Sequence, residues 1–302
     1  MVKYIYLLLA LFCMAGCKDI KKNKEQEVIR VSVLRGPSAI AFAQWMGTPP
    51  VINGKTVSVT LADSPDIIQA ALIKKETDIA ALPMISAVNL YNKGVDYPLL
   101  GCPVWGTLYL VGRDNLTDKK VLHLFGAGTT PDILTRYYLD INGEEYALNY
   151  SFGTAREIMQ ALLIGKAQTA VLSEPFVSMA LRKDSTLHIL ADLTNPANNS
   201  ALGFPQTAIV YNTALKNETV IIDSLLQSSC RFVEEHPEEA ILILEEHQVF
   251  APGMLTVESL KRCRIHYLTA NDACDATKSF LHLIEQYEPK AIGGKVPESF
   301  IP

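Results

Sequence analysis

Four short turns carry residue types able to grip a small molecule: Gly36-Pro37-Ser38, Pro83-Met84-Ile85-Ser86, Gly128-Thr129-Thr130-Pro131 and Ser173-Glu174-Pro175. Each follows an apolar, strand-like run and precedes a helix-like one. In open α/β sheets, ligands bind there, beyond the carboxyl ends of strands. A helix start offers N–H groups without intrahelical partners and the positive end of the dipole. It favours a polar or anionic group by roughly 0.3–1 kcal/mol. Ser38, Ser86, Thr129, Thr130 and Ser173 add hydroxyls, whose alternative use is simply to cap helices. Glu174, the one acid in these turns, can accept from a ligand amine or amide, or serve as a first-turn carboxylate. Trp105, beside Gly106, and Phe204, before Pro205, can wall a pocket or join the core. Arg35 can pair with an anion or end its strand in solvent.

Covalent and metal chemistry find little material. His123, His188, His236, His247, His266 and His282 form no H-x-H or H-x-x-x-H pair, and neither G-x-S-x-G nor Cys-x-x-Cys occurs. Gly126-Ala127-Gly128 lacks the third glycine of a dinucleotide fingerprint and the lysine of a phosphate-binding P-loop. Neither a cofactor nor a metal is expected. Cys102, Cys230, Cys263 and Cys274 allow three full disulfide pairings or free thiols, and their spacing does not choose. A net charge of −5, with no basic run beyond Lys18 to Lys24, argues against nucleic acid as a partner.

The elements that must position these turns are written twice. Shifted by 91 positions, Ile67 to Asp78 meets Ile158 to Thr169 with six of twelve residues identical and no gap. The same offset pairs Val31-Ser32-Val33-Leu34 with Leu122-His123-Leu124-Phe125, and Ser38 with Thr129. Each copy reads strand, small-residue turn, helix, then helix, strand, polar turn, helix. Alternation of helices with short apolar strands predicts α/β lobes with mostly parallel central sheets. At 302 residues, two lobes are expected. Residues 28–111 and 204–302 are assigned to the first and 112–203 to the second. The chain then crosses twice, near Gly112 and Gly203, and a hinge becomes geometrically possible. Ser38 is expected to cap a helix from Ala39 to Met46, and Ser64 one that starts at Pro65.

The N-terminus reads as an address. Lys3, the apolar run Ile5 to Phe12 and the small residues Ala15-Gly16 predict a signal segment over 1–16, too short to span a bilayer. Met14-Ala15-Gly16-Cys17 resembles a bacterial lipobox, which implies lipid attachment at Cys17 and a polar tether over 17–27. Export and anchoring at the periplasmic face of the cell envelope follow as expectations.

Gly36-Pro37-Ser38, Asp78 to Pro83, Trp105 to Val111, Thr130-Pro131-Asp132, Ser173-Glu174-Pro175-Phe176 and Ala291-Ile292-Gly293-Gly294-Lys295-Val296-Pro297 resemble, in order and spacing, the nitrate/sulfonate/taurine-type substrate-binding proteins of ABC transporters. Thiamine-precursor binders belong to the same broad group. Arg35 departs from the small or polar residue of that pattern. The resemblance implies a type 2 periplasmic-binding-protein fold, no catalysis, a monomer and a small organic ligand closed between two lobes. It also implies a permease and an ATPase as partners, with the four turns, Trp105, Gly106 and Phe204 as the ligand site. The other readings are a biosynthetic enzyme on the same fold, which would need no lipobox, and an anchored ligand sensor.

Overall fold

The structure, a computed structural model, describes residues 28–113, 120–195 and 202–302. The expected signal segment, Cys17 and the tether lie outside the described residues. From the amino end, β1 (Val28–Leu34) leads through two short helices, α1 (Pro37–Ile40) and α2 (Ala43–Gly47), to β2 (Val51–Ile52) and β3 (Lys55–Ala62). Then come α3 (Pro65–Ile73), β4 (Ile79–Pro83), α4 (Met84–Asn92), β5 (Leu99–Val104), β6 (Leu108–Arg113), β7 (Val121–His123) and α5 (Thr130–Asn142). β8 (Ala147–Asn149), α6 (Ala155–Leu163), β9 (Thr169–Ser173), α7 (Phe176–Lys183) and β10 (Leu187–Asp192) follow. The chain ends with β11 (Thr207–Tyr211), α8 (Thr219–Glu235), α9 (Pro237–Glu246), α10 (Val257–Cys263), β12 (Ile265–Thr269) and α11 (Cys274–Tyr287).

The strands form two sheets, ordered β12-β5-β11-β4-β1-β3-β2 and β10-β6-β9-β7-β8. The internal repeat is visible in both. β1 lies between β3 and β4 and is parallel to each, as β7 lies between β8 and β9. Outside those cores the sheets are mixed, because β11, β12, β6 and β10 all pair antiparallel. The expectation of mostly parallel sheets therefore holds only for the repeated units. β6 also corrects the expected division at residue 111. It pairs with β9 and β10 in the second sheet, so the chain crosses at Trp105-Gly106-Thr107, three residues rather than a later loop.

Local chemistry explains the boundaries. Thr154 and Glu157 make a capping box at α6, satisfying two orphan N–H groups reciprocally. Gly143 closes α5 at φ 61°, a left-handed value that glycine adopts without strain. Ser64 makes no cap hydrogen bond, and Pro65 begins α3 instead. Ser38 does not cap either: Pro37 starts α1, and the expected single helix is broken into two short ones. Trp45, Phe42 and Ile29 fill one face of the first sheet, Phe280, Phe300 and Leu82 the other. Each such side chain contributes about 1.5–3 kcal/mol on full burial. Cys102, Cys230, Cys263 and Cys274 are all free thiols, the first three of them buried. Burial pushes the Cys102 thiol up to about 12, far from reactivity at neutral pH.

Candidate functional site

Strand ends β1, β4 and β9 and the loop after β7 meet around a cavity of about 370 Å³, lined by residues of both sheets. That is the scale of a small-molecule site. The first-sheet wall comprises Leu34, Pro37, Ser38, Pro65, Pro83, Ile85, Ser86, Gln206 and Thr207. Val104, Thr107 and Leu108 contribute from the crossover, and Phe125, Thr129, Thr130, Pro131 and Ser173 form the second-sheet wall. Among the described lining residues none carries a formal charge, and seven carry a hydroxyl. Such a lining suits a ligand held by directed hydrogen bonds against apolar surface. A larger, shallow depression of about 750 Å³ on the outer side of α5 mixes lysine, arginine and carboxylates and receives none of the four turns.

The hydroxyls are well anchored. Ser38 Oγ and Thr207 Oγ1 lie 2.9 Å apart, one donating to the other, and both residues are buried. Their pairing depends on β11 running antiparallel beside β4, which brings Thr207 opposite Pro83. Gln206 O accepts from Met84 N at 3.1 Å, tying the start of α4 to the same strand. Gln206 Nε2 donates to Phe204 O at 3.1 Å, so its amide is oriented from behind. Thr107 is buried at the crossover, and its carbonyl accepts from Glu174 N at 3.0 Å.

Behind the second-sheet wall stand two acids. Asp132, in the first turn of α5, accepts from Gly128 N at 2.8 Å and Tyr150 Oη at 2.6 Å, and from Arg136 through both oxygens. Tyr150 in turn feels burial first and the Asp132 contact second, both raising its pKa. Glu174 accepts from Arg262 Nε at 2.5 Å and from Ser178 through both its hydroxyl and its backbone N–H. Burial raises the Glu174 pKa and the Arg262 contact opposes that shift. Every partner donates to it, so the ionised carboxylate is the form that fits.

Of the residues singled out from sequence, Pro37, Ser38, Pro83, Ile85, Ser86, Thr129, Thr130, Pro131 and Ser173 converge on the cavity. The others do not line it. Trp105 is 1% exposed, and its Nε1 donates to His266 O at 2.7 Å, because the short crossover turns the indole into the core. Phe204 stacks on Phe280 with ring centroids 5.4 Å apart, so Phe125 supplies the aromatic surface instead. Glu174 points behind the wall to Arg262, and Met84 is fully buried. Gly36 and Gly128 have φ of 119° and 72° and shape their turns without reaching the cavity. Gly106 packs against Arg264: a Cβ there would fall 2.6 Å from Arg262 O. Arg35 pairs with Asp63 at 2.6 Å, away from the lining. Gln206, Thr207, Thr107, Val104, Leu108 and Phe125 were not anticipated. Thr107 follows Trp105-Gly106 and Phe125 precedes Gly126, and those adjacent turn glycines were the available signal.

No protein-family model and no curated protein matches the chain. A crystal structure of an ABC transporter from Parabacteroides distasonis is 56% identical with a TM-score of 0.88, covering 91% of this chain and 98% of that one. The periplasmic aliphatic sulphonate binding protein SsuA of Escherichia coli superposes with a TM-score of 0.68 at 13% identity, covering 89% of each chain. The alkanesulfonate-binding SsuA of Xanthomonas axonopodis pv. citri, bound to MOPS, gives 0.60 at 15% identity, covering 91% of this chain and 96% of that one. The last two establish likeness of fold. The first, at 56% identity, places this chain: it belongs to the substrate-binding proteins of ABC transporters, on the periplasmic-binding-protein fold that all three share.

Proposed function

We propose that the protein is a lipid-anchored receptor that captures a small organic solute between two lobes and delivers it to an ABC permease and its ATPase. The observation that carries this reading is the uncharged, hydroxyl-lined cavity shared by both sheets, at the strand ends where such folds hold ligands. Exported, periplasmic placement is supported by the sulphonate-binding neighbours, and anchoring by Met14-Ala15-Gly16-Cys17. The lobes are the two sheets with their helices, and the crossovers near Gly106 and Gly203 supply the hinge. The ligand has a polar or anionic end and an apolar or planar body. A sulfonate-like anion fits, and so does a heterocycle of the thiamine-precursor kind against Phe125. With Glu174 turned away, nothing in the lining calls for a cationic ligand.

A thermal-shift screen of organic sulfonates, carboxylates and heterocycles tests the proposal. A ligand at 100 times its dissociation constant adds about 2.7 kcal/mol of stability. Transport proteins as neighbours and a lining without any group that titrates near neutral pH favour capture over catalysis. If no member of a broad screen raises the melting temperature, the receptor reading fails.

A further inference from the structure

The end of the first lobe that faces away from the cavity carries a surface the solute site does not use. β1, β4 and α3 each reach the cavity at one end, through Leu34, Pro83 and Pro65. Their other ends, at Val28, Ile79 and Ile73, meet at the far pole of the lobe. Arg30 in β1 pairs with Asp78 at 2.8 Å and donates to Lys75 O at 3.1 Å. Tyr97 Oη donates to Thr77 O at 2.9 Å and Asn212 N to Asp78 O at 2.8 Å, which adds the loop after α4 and the end of β11. From Asn212 a 3-10 turn, Thr213–Glu218, leads straight into α8. β2 sets Val51 opposite Thr56, whose partner in β1 is Val28. Val28, Val51, Ile73, Val220 and Ile221 remain between 42% and 78% exposed there. Lys74, Lys75, Lys93 and Lys216 stand exposed among them. Glu76, Asp96 and Glu218 share the pole, so the lysines bring little excess charge. The apolar side chains are what set this end apart, and apolar residues grouped at one place mark a contact surface.

We infer that this pole is a membrane-contact surface, and that its occupant is the lipid bilayer carrying the proposed anchor. Residues 17–27 join Cys17 to Val28, and eleven residues span at most about 40 Å even when fully extended. Val28 is thus held beside the bilayer. The exposed valines and isoleucines enter the headgroup region, while the lysines lay their stems on it and reach for phosphates. Alone the contact is weak; the anchor makes it intramolecular and so raises its effective concentration. Its consequence is orientation. β1 rises about 20 Å from Val28 to Leu34, so a pole resting on lipid lifts the cavity clear of the surface and leaves it open to solute. This inference rests on the proposed anchoring at Cys17 and adds which way up the anchored molecule lies.

The internal repeat supplies the control. Ile73 and Ile164 correspond at the 91-residue offset, and both are exposed, at 61% and 67%, one in each lobe. Ile73→Trp and Ile164→Trp are made separately in the full chain, purified from membranes and reconstituted in vesicles of phosphatidylcholine and phosphatidylglycerol in equal parts. The native Trp45 and Trp105 are buried and give a constant background, which the parent supplies for subtraction. With brominated phosphatidylcholine in the vesicles, Ile73→Trp should lose about half of its added emission and Ile164→Trp almost none. Adding Val220→Glu and Ile221→Glu to Ile73→Trp should abolish the quenching while the protein stays lipid-bound. Equal quenching at both sites overturns the inference, as does quenching that survives the two glutamates. A blue shift at Ile73→Trp that grows with protein density but ignores brominated lipid means a second copy covers the pole, and overturns it too. A lipid-bearing chain without quenching overturns the contact alone, whereas a chain without lipid at Cys17 overturns the anchoring and the contact together.

Discussion

Truncating Glu174 to alanine would leave the Arg262 guanidinium and the Ser178 hydroxyl facing a gap behind the cavity. The carboxylate side chain is fully buried and its arginine partner is 24% exposed. Breaking such a pair from one side costs about 3–5 kcal/mol, since the remaining charge has lost its partner. Urea denaturation of Glu174→Ala should show a loss of that order, and a loss under 1 kcal/mol would mean water replaces the carboxylate freely. Asp184 offers a pH test. Donors from Thr186, side chain then backbone, followed by Arg113, bring its carboxyl down to about 2. A depressed folded pKa means the unfolded chain binds more protons just below pH 4. The Asp184 contribution is thus complete above its ordinary value and lost as pH falls toward about 2. Carboxyl NMR should place its midpoint near 2, and a midpoint near 4 would contradict the Thr186 contacts. At this scale, residue type was legible and direction was not. Ser38 and Glu174 both stand in polar turns, yet only the packing of Arg262 decides that Glu174 faces backward.

Gly106 shows what the elements demand of the crossover between β5 and β6. Gly106 N donates to Cys263 O at 3.0 Å, and Arg264 lies across its Cα on the way to Asp192, 2.6 Å from its guanidinium. Gly106→Ala would overpack that stack, which typically costs 1–3 kcal/mol. A chemical-denaturation midpoint equal to the parent's would show that Arg264 swings away instead. The repeat was readable because strand, turn and helix recur at one offset, and β3-β1-β4 against β8-β7-β9 has the same parallel order. Burial did not recur with it. Ile67 is 55% exposed while its counterpart Ile158 is fully buried, since each sheet adds different neighbours to its copy. The antiparallel strands escaped notice for a related reason. A short apolar run such as Thr207 to Tyr211 carries no mark of which strand it will join, and Gln206 and Thr207 reach the cavity only through that choice.

For the whole molecule, two linked lobes with a shared cavity predict closure on binding. Small-angle scattering should give a smaller radius of gyration with saturating ligand than without, and superimposable curves would count against closure. The proposed anchoring is separable from the proposed capture. Cys17→Ser should move the protein from the membrane to the soluble fraction while leaving ligand-induced stabilisation unchanged. Metabolic labelling that still finds lipid on that variant would sink the lipobox reading.

β11 has one more implication. It is the central partner of both β4 and β5, yet more than a hundred residues, including every strand of the second sheet, separate it from them in sequence. While the chain is being made, β4 and β5 emerge early and cannot be joined until Thr207 to Tyr211 arrives. The second sheet has no such debt, since β6 to β10 are contiguous. Closing so long a loop late is slow, because its entropy is lost before the contacts that reward it form. The first sheet therefore stays open through most of synthesis, a delay that would serve the export proposed for this chain.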